Sequence, residues 1–303
     1  MGSEMCIRDS YTYAWKEGSI CLINGTFLAD IRCMGLLAGA IGALVPDFIY
    51  PVLGIKTVFL DGFPAVTPDG DALCRKMYGY SLDGFIRDVV WPVFQGISLR
   101  TDTPYTAGIL PASSDEGFEE ADDSLLAVIG RSVVQINGEL TAAGRLQKTD
   151  HAMFPAVTEG NTLEDGNLFM VSSVLGAYGM FSHEFDIGGL IAGDDDTAVW
   201  DSYRKQIGLF ESEVLARASW LEGRTLTRVQ DDIRSYRDMD YGWTVNGNRV
   251  ELRCGGAAKG QAFFYHTGSR IVSAEGLTYQ DAGNGYYLLR VLENNGILTL
   301  EEK

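Results

Sequence analysis

The stretch from Gly54 to Gly62 constrains the fold more than any other part of the chain. It reads "GIKTVFLDG": a six-residue apolar run, rich in β-branched and aromatic side chains, opened by Gly54 and broken at "DGFPAVTPDGD". Such a run is a strand, and Asp61 stands at its carboxyl end. Helical spacing surrounds it. "LADIRCMGLLAGAIGAL" carries small and apolar residues at helical intervals up to Pro46. In "SLDGFIRDVVWPVFQGIS", Leu82, Phe85, Ile86, Val89, Val90, Val93, Phe94 and Ile97 keep the i, i+3, i+4, i+7 rhythm. Ser81 is placed to cap this helix, and Pro92 predicts a kink or an early end.

The alternation continues. "YTAGIL" is a short strand, "DDSLLAVIGRSVVQING" a helix with an acidic start and Asn137-Gly138 at its end, and "YGMFSHEFD" another strand. Two periodic helices follow, from about Asp195 to Arg217 and from about Thr225 to Asp240. Trp200, Tyr203, Ile207, Phe210 and Val214 form the apolar face of the first. From Trp243 the texture changes to short strands separated by Gly and Asn turns: "WTVNGNRVELRC", "QAFFYHTG", "RIVSAEGL" and "NGYYLLRVL". This pattern predicts an α/β domain over 11–242, with a parallel sheet or barrel, and a small antiparallel β domain over 243–303. Residues 1–10, "MGSEMCIRDS", show no signal-peptide pattern and resemble translated sequencing adapter. They are read as a non-native leader, with the native N-terminus lying elsewhere.

Composition narrows the function. At 303 residues and 46% hydrophobic, the chain can build one large core and one small one. A net charge of −17 argues against a nucleic-acid partner, whose affinity depends on clustered Lys and Arg; neutral or cationic ligands fit better. The five cysteines, Cys6, Cys21, Cys33, Cys74 and Cys254, form no CxxC pair and read as buried free thiols. Between Cys33 and Leu60, Pro46, Asp47, Pro51, Gly54 and Lys56 cut the apolar stretch into pieces shorter than the roughly 18 residues of a membrane span, so no transmembrane segment is expected.

In parallel α/β folds the ligand crevice lies at the carboxyl ends of the strands. That rule selects Asp61, Glu139 in "NGELTAAGRL", and His183, Glu184 and Asp186 in "SHEFD". Each also has a plainer reading: Asp61 as a turn residue, Glu139 as a solvated loop residue, His183 as a structural histidine. No HxH, HxxxH or HExxH occurs, and neither a GxGxxG after a strand, a P-loop nor a GxSxG elbow is present. The runs 115–123 and 194–196 lack calcium-loop spacing and read as solvated helix entrances.

"YPVLGIKTVFLDGFPAVTPDGD", "YGYSLDGFIRDVVWPVF", "YTAGIL" and "NGELTAAGRL" occur in the order and spacing of the family called domain of unknown function 2194, which is similar to polysaccharide deacetylases. The resemblance implies a distorted (β/α) barrel with a groove for a polymeric sugar, on a protein that is extracellular or at the cell surface. In the deacetylases the first Asp of an Asp-Asp pair is the base. The second Asp and two histidines hold a divalent metal, and a histidine from a later strand is the acid. By this alignment Asp61 takes the base position and His183 the acid. Gly62, Ala143 and Gln147 stand where the three metal ligands would be. An alternative register puts Asp61 on the second Asp and Leu60 on the first. Neither register rebuilds a metal centre, so no metal and no cofactor are expected.

Three functions follow as expectations. The first is a deacetylase-like barrel that has lost its metal and binds or positions an exopolysaccharide, with Asp186 at the sugar and Trp91, Phe63 or Tyr178 stacking on its rings. The second is a metal-independent glycan hydrolase pairing Asp61 with Glu139 or Asp186. The third is a structural or partner-binding module.

Overall fold

A computed structural model describes residues 14–17, 19–29, 31–61, 63, 68–107, 156–187, 189, 199–255 and 260–301. In chain order these form β1 (Ala14–Glu17), β2 (Ile20–Ile23), α1 (Gly35–Leu44), β3 (Phe48–Val52) and β4 (Ile55–Asp61). Next come α2 (Pro68–Tyr78), α3 (Leu82–Phe85), α4 (Trp91–Thr101), β5 (Tyr105–Ala107), β6 (Thr158–Glu159), α5 (Asp165–Tyr178) and β7 (Met180–Asp186). Then follow α6 (Trp200–Phe210), β8 (Glu222–Gly223) and α7 (Leu226–Arg237). The chain closes with β9 (Tyr241–Asn246), β10 (Arg249–Cys254), β11 (Ala262–His266), β12 (Ile271–Glu275), β13 (Leu277–Gly283), β14 (Tyr286–Val291) and β15 (Asn295–Leu300).

The chain divides into two units. One, residues 53–171 and 180–239, is built on a parallel sheet in the order β5-β4-β7-β6, with β8 beside the start of β4. β4 reads as a continuous apolar run because it is central and buried on both faces, as parallel strands are. β4 and β5 are adjacent and parallel, as are β6 and β7, so the intervening helices are crossover connections. The described strands form an open sheet with β5 and β6 at its edges. The closed barrel expected from the sequence is not formed among the described residues.

Side chains alternate between the two faces of this sheet. On one face lie Val58, Leu60, Phe181, His183 and Phe185, together with Phe94 and Phe210. On the other, Ile55 packs with Val229, and Leu53, Phe59, Met180, Leu226 and Ile233 extend that cluster. Pro92 does not end its helix early. The turn before it, Ile86–Val90, widens to π-helical spacing, and the helix runs on from α3 into α4. Ser81 caps its start, with Oγ accepting from the Gly84 N–H at 3.2 Å. At its other end the ammonium of Lys56, 1% exposed near the start of β4, donates to the Thr101 carbonyl at 2.7 Å. A cation on the last carbonyls of a helix meets their partial negative charge, which is why a lysine is tolerated inside this strand.

The other unit comprises residues 1–52, 172–179 and 240–303. Its core is two four-stranded antiparallel sheets, β12-β15-β10-β9 and β13-β14-β11-β3. The β region after Trp243 is antiparallel as its turns predict, but it also takes in β3, an edge strand next to β11. An edge position accommodates Pro51, which cannot donate to a ladder. Inward-facing Val250, Leu252, Phe263, Leu289, Val291 and Leu298 are buried to 1% exposure or less. Asp47 locks β3 to β11 by accepting from Tyr265 Oη at 2.9 Å and Thr267 Oγ1 at 2.7 Å. No helix among the described residues is long and apolar enough to cross a membrane.

Candidate functional site

The parallel register decides which side chains meet. β4 pairs with β7 so that Phe59 lies beside Glu184 and Asp61 beside Asp186, while β6 pairs Thr158 with His183 and Glu159 with Glu184. Directly paired residues project from the same face, and neighbouring strands lie about 4.8 Å apart. Asp61, Glu184, Asp186 and Glu159 therefore share one face at the carboxyl ends of three parallel strands, the position where ligand crevices form in open α/β sheets.

The electrostatics agree with this geometry. The Glu184 carboxyl is pushed above the usual carboxylate range, first by burial and then by the negative charges of Asp61, Glu159 and Asp186. A half-buried carboxyl among three others holds its proton more tightly than any of them would in water. The loop after β6 and the turn after β7 frame the group. Gly160 N–H donates to the Glu184 carbonyl at 2.9 Å, Asn161 Nδ2 to the Asp186 carbonyl at 2.7 Å, and Gly189 N–H to Asp186 Oδ1 at 3.0 Å. A β-carbon on Gly189 would stand 2.5 Å from Asp186 Oδ2, so any larger residue there would require the carboxylate to shift. The Asn161 Oδ1 is buried without a hydrogen-bond partner.

His183 lies on the opposite face. Its neighbours along the strand point the other way, and the imidazole is 2% exposed among Phe181, Phe185 and Phe210, with centroid distances of 4.3 Å to the last two. Nδ1 meets Thr158 Oγ1 at 2.8 Å, and Nε2 has no hydrogen-bond partner. Burial lowers its pKa to about 3, with the backbone of Gly160 and Thr158 offsetting part of the effect. The sheet thus separates the base and acid that the sequence resemblance pairs. A neutral imidazole closed off by phenyl rings is in no position to protonate a leaving group above Asp61.

Two other expected residues are also turned away. Phe63 and Trp91 are 0% and 2% exposed and pack on each other at 5.5 Å, so they fill core rather than offering a platform to a sugar ring. Gly62, Glu139, Ala143 and Gln147 lie outside the described residues. Among the described residues no group of three or more His, Cys, Asp or Glu side chains is arranged to hold a metal ion. Glu159 is the member of the carboxylate face that the sequence did not point to; Glu184 was selected at the strand end with no chemical role of its own. The signal for Glu184 was present, since strict alternation in "SHEFD" separates His183 and Phe185 from Glu184 and Asp186. Glu159 carried none, because a two-residue strand has no periodicity to read.

The described residues thus define a mixed α/β protein, with a parallel sheet that gathers carboxylates at its carboxyl ends and a separate antiparallel β unit. Residues 4–125 match the family model described as "Uncharacterised protein conserved in bacteria (DUF2194)". That match supports the resemblance to the family of unknown function over the part of the chain that contains β4 and Asp61; β7, with Glu184 and Asp186, lies beyond it. No curated protein and no solved structure matches the chain.

Proposed function

We propose that the parallel-sheet unit is a carbohydrate-active module that binds and positions a polysaccharide along the carboxyl ends of its strands, with Asp61, Glu184 and Asp186 as the contacting groups. The single observation that carries this reading is the co-facial set of carboxylates at the strand ends. Carboxylates accept hydrogen bonds from sugar hydroxyls and attract amino groups. The sugar class comes from the resemblance to deacetylase-like proteins, and the extracellular or cell-surface location follows from the same source. The test is calorimetric titration of oligosaccharides with neutral, N-acetylated and free-amino sugars. Binding to at least one class, lost in Asp61→Ala and in Asp186→Ala, supports the proposal; equal binding by the wild type and both variants contradicts it.

A second reading, metal-independent cleavage, is favoured by one specific observation: Glu184 is held toward its protonated form beside Asp61 and Asp186. Neighbouring carboxyl groups whose proton affinities are driven apart are the working parts of an acid/base pair. Here Glu184 is the proton donor to the leaving oxygen, and Asp61 or Asp186 the second carboxyl of the pair. Shorter oligosaccharides released by the wild type and not by Glu184→Gln would establish this reading. Binding without release, in both proteins, leaves the module a binder.

A further inference from the structure

His183 is a fully buried titratable side chain directly behind the carboxylate face, and the chemistry proposed above gives it no task. Its position suggests one. Among the described residues β6 is a two-residue strand at the edge of the sheet, too short to hold itself by its own ladder. It is tied to β7 by the Gly160 N–H on the Glu184 carbonyl, by the Val157 N–H on the Ser182 carbonyl at 3.1 Å and the Ser182 hydroxyl at 2.8 Å, and by the Thr158 hydroxyl on the imidazole. Of these, only the last is a bond between two side chains that are both buried, at 6% and 2% exposure. It pins β6 from the face opposite the carboxylates, at the residue just before Glu159.

We propose that His183 is a positioning residue: through its bond to Thr158 it fixes the register of β6 and so holds Glu159 against Glu184 on the other face of the sheet. The inference rests on the carboxylate face being the working site, but its test does not require a sugar. The groups that face Glu184 are Asp61 from β4, Asp186 from β7 and Glu159 from β6, and each raises its proton affinity. If β6 slips, Glu159 withdraws and Glu184 titrates lower. Both aspartates stay in place, because they belong to the paired central strands β4 and β7.

The experiment follows the Glu184 carboxyl by carbon NMR in glutamate-labelled whole chain, with Glu184→Gln identifying its signal. Thr158→Val removes the hydroxyl and keeps the shape; Thr158→Ser keeps the hydroxyl. The expected result is a Glu184 midpoint lower in Thr158→Val than in the wild type and restored in Thr158→Ser. In a Glu159→Gln background, Thr158→Val then produces no further change. His183→Phe, where it folds, lowers the midpoint by the same amount as Thr158→Val, and the double variant goes no lower. An unchanged midpoint in Thr158→Val overturns the proposal, as does a fall that persists without the Glu159 charge. Failure of every oligosaccharide to bind would overturn the functional reading while leaving this result standing.

Discussion

Acidification should destabilise the parallel-sheet unit through His183, by an amount that follows from its surroundings. In the unfolded chain an imidazole titrates near its ordinary value of about 6.5. In the folded unit burial holds it near 3. Because the folded midpoint is the lower one, the unfolded chain binds the proton more readily throughout this window. The stability present above pH 6.5 is therefore lost as the pH falls toward 3. Between pH 7 and pH 4 the loss attributable to this one group is about 3 kcal/mol. His183→Phe removes the titration and keeps an aromatic ring among Phe181, Phe185 and Phe210. It also leaves Thr158 Oγ1 without its partner, a cost of about 1 kcal/mol. The variant should therefore be less stable than the wild type at pH 7 and more stable at pH 4. Urea unfolding followed by tryptophan fluorescence at pH 7, 5.5 and 4 measures this crossing. If wild type and variant lose stability in parallel across the range, the reasoning about the cage is refuted.

Other expected outcomes are as direct. Glu184→Gln should raise the urea midpoint at pH 7, because it removes a carboxyl that is partly buried and crowded by Asp61, Glu159 and Asp186, and the gain should vanish at acid pH, where Glu184 is protonated in both the folded and the unfolded chain. Lys56→Met keeps the bulk of a buried side chain but removes the charged donor to the Thr101 carbonyl, leaving it only the Thr103 hydroxyl at 3.2 Å, and should lower unfolding stability by about 1–3 kcal/mol in the same assay. Gly223→Ala places a β-carbon 2.2 Å from the Asp102 carbonyl oxygen and 2.5 Å from Pro104 Cδ, and should lower Tm through overpacking of about 1–3 kcal/mol. Trp91→Ala should cost about 3–5 kcal/mol of stability, as expected for a ring that is 2% exposed.

Much of the parallel sheet was legible in the sequence. β4 and β7 were marked by apolar runs bounded by glycine and polar residues, and the strand-end rule pointed to Asp61 and Asp186 without any motif. Periodicity also found the apolar faces of the helices over 82–101 and 200–215, since amphipathic spacing is set by local geometry, while the helix expected over 122–138 lies outside the described residues. Pairing was the part that could not be read. Whether Asp61 stands beside Asp186 or across the sheet from it depends on register, which the helices and loops between the strands decide. β3 was hidden by Pro51, which reads as a break unless the strand is known to lie at an edge. Lys56 looked like an interruption because the carbonyl that accepts from it belongs to a helix 45 residues further along the chain. Trp91 and Phe63 could be taken for a sugar platform because aromatic residues serve cores and ligands alike, and only their burial distinguishes the two.

On the proposed function, the carboxyl-end face of the parallel sheet is where this protein meets its ligand. Backbone chemical-shift mapping with an oligosaccharide that binds in calorimetry tests it most directly. The largest changes should fall on Asp61, Gly160, Asn161, Glu184, Asp186 and Gly189, with residues 241–301 unmoved. Shifts confined to the antiparallel unit, with that face silent, would contradict it.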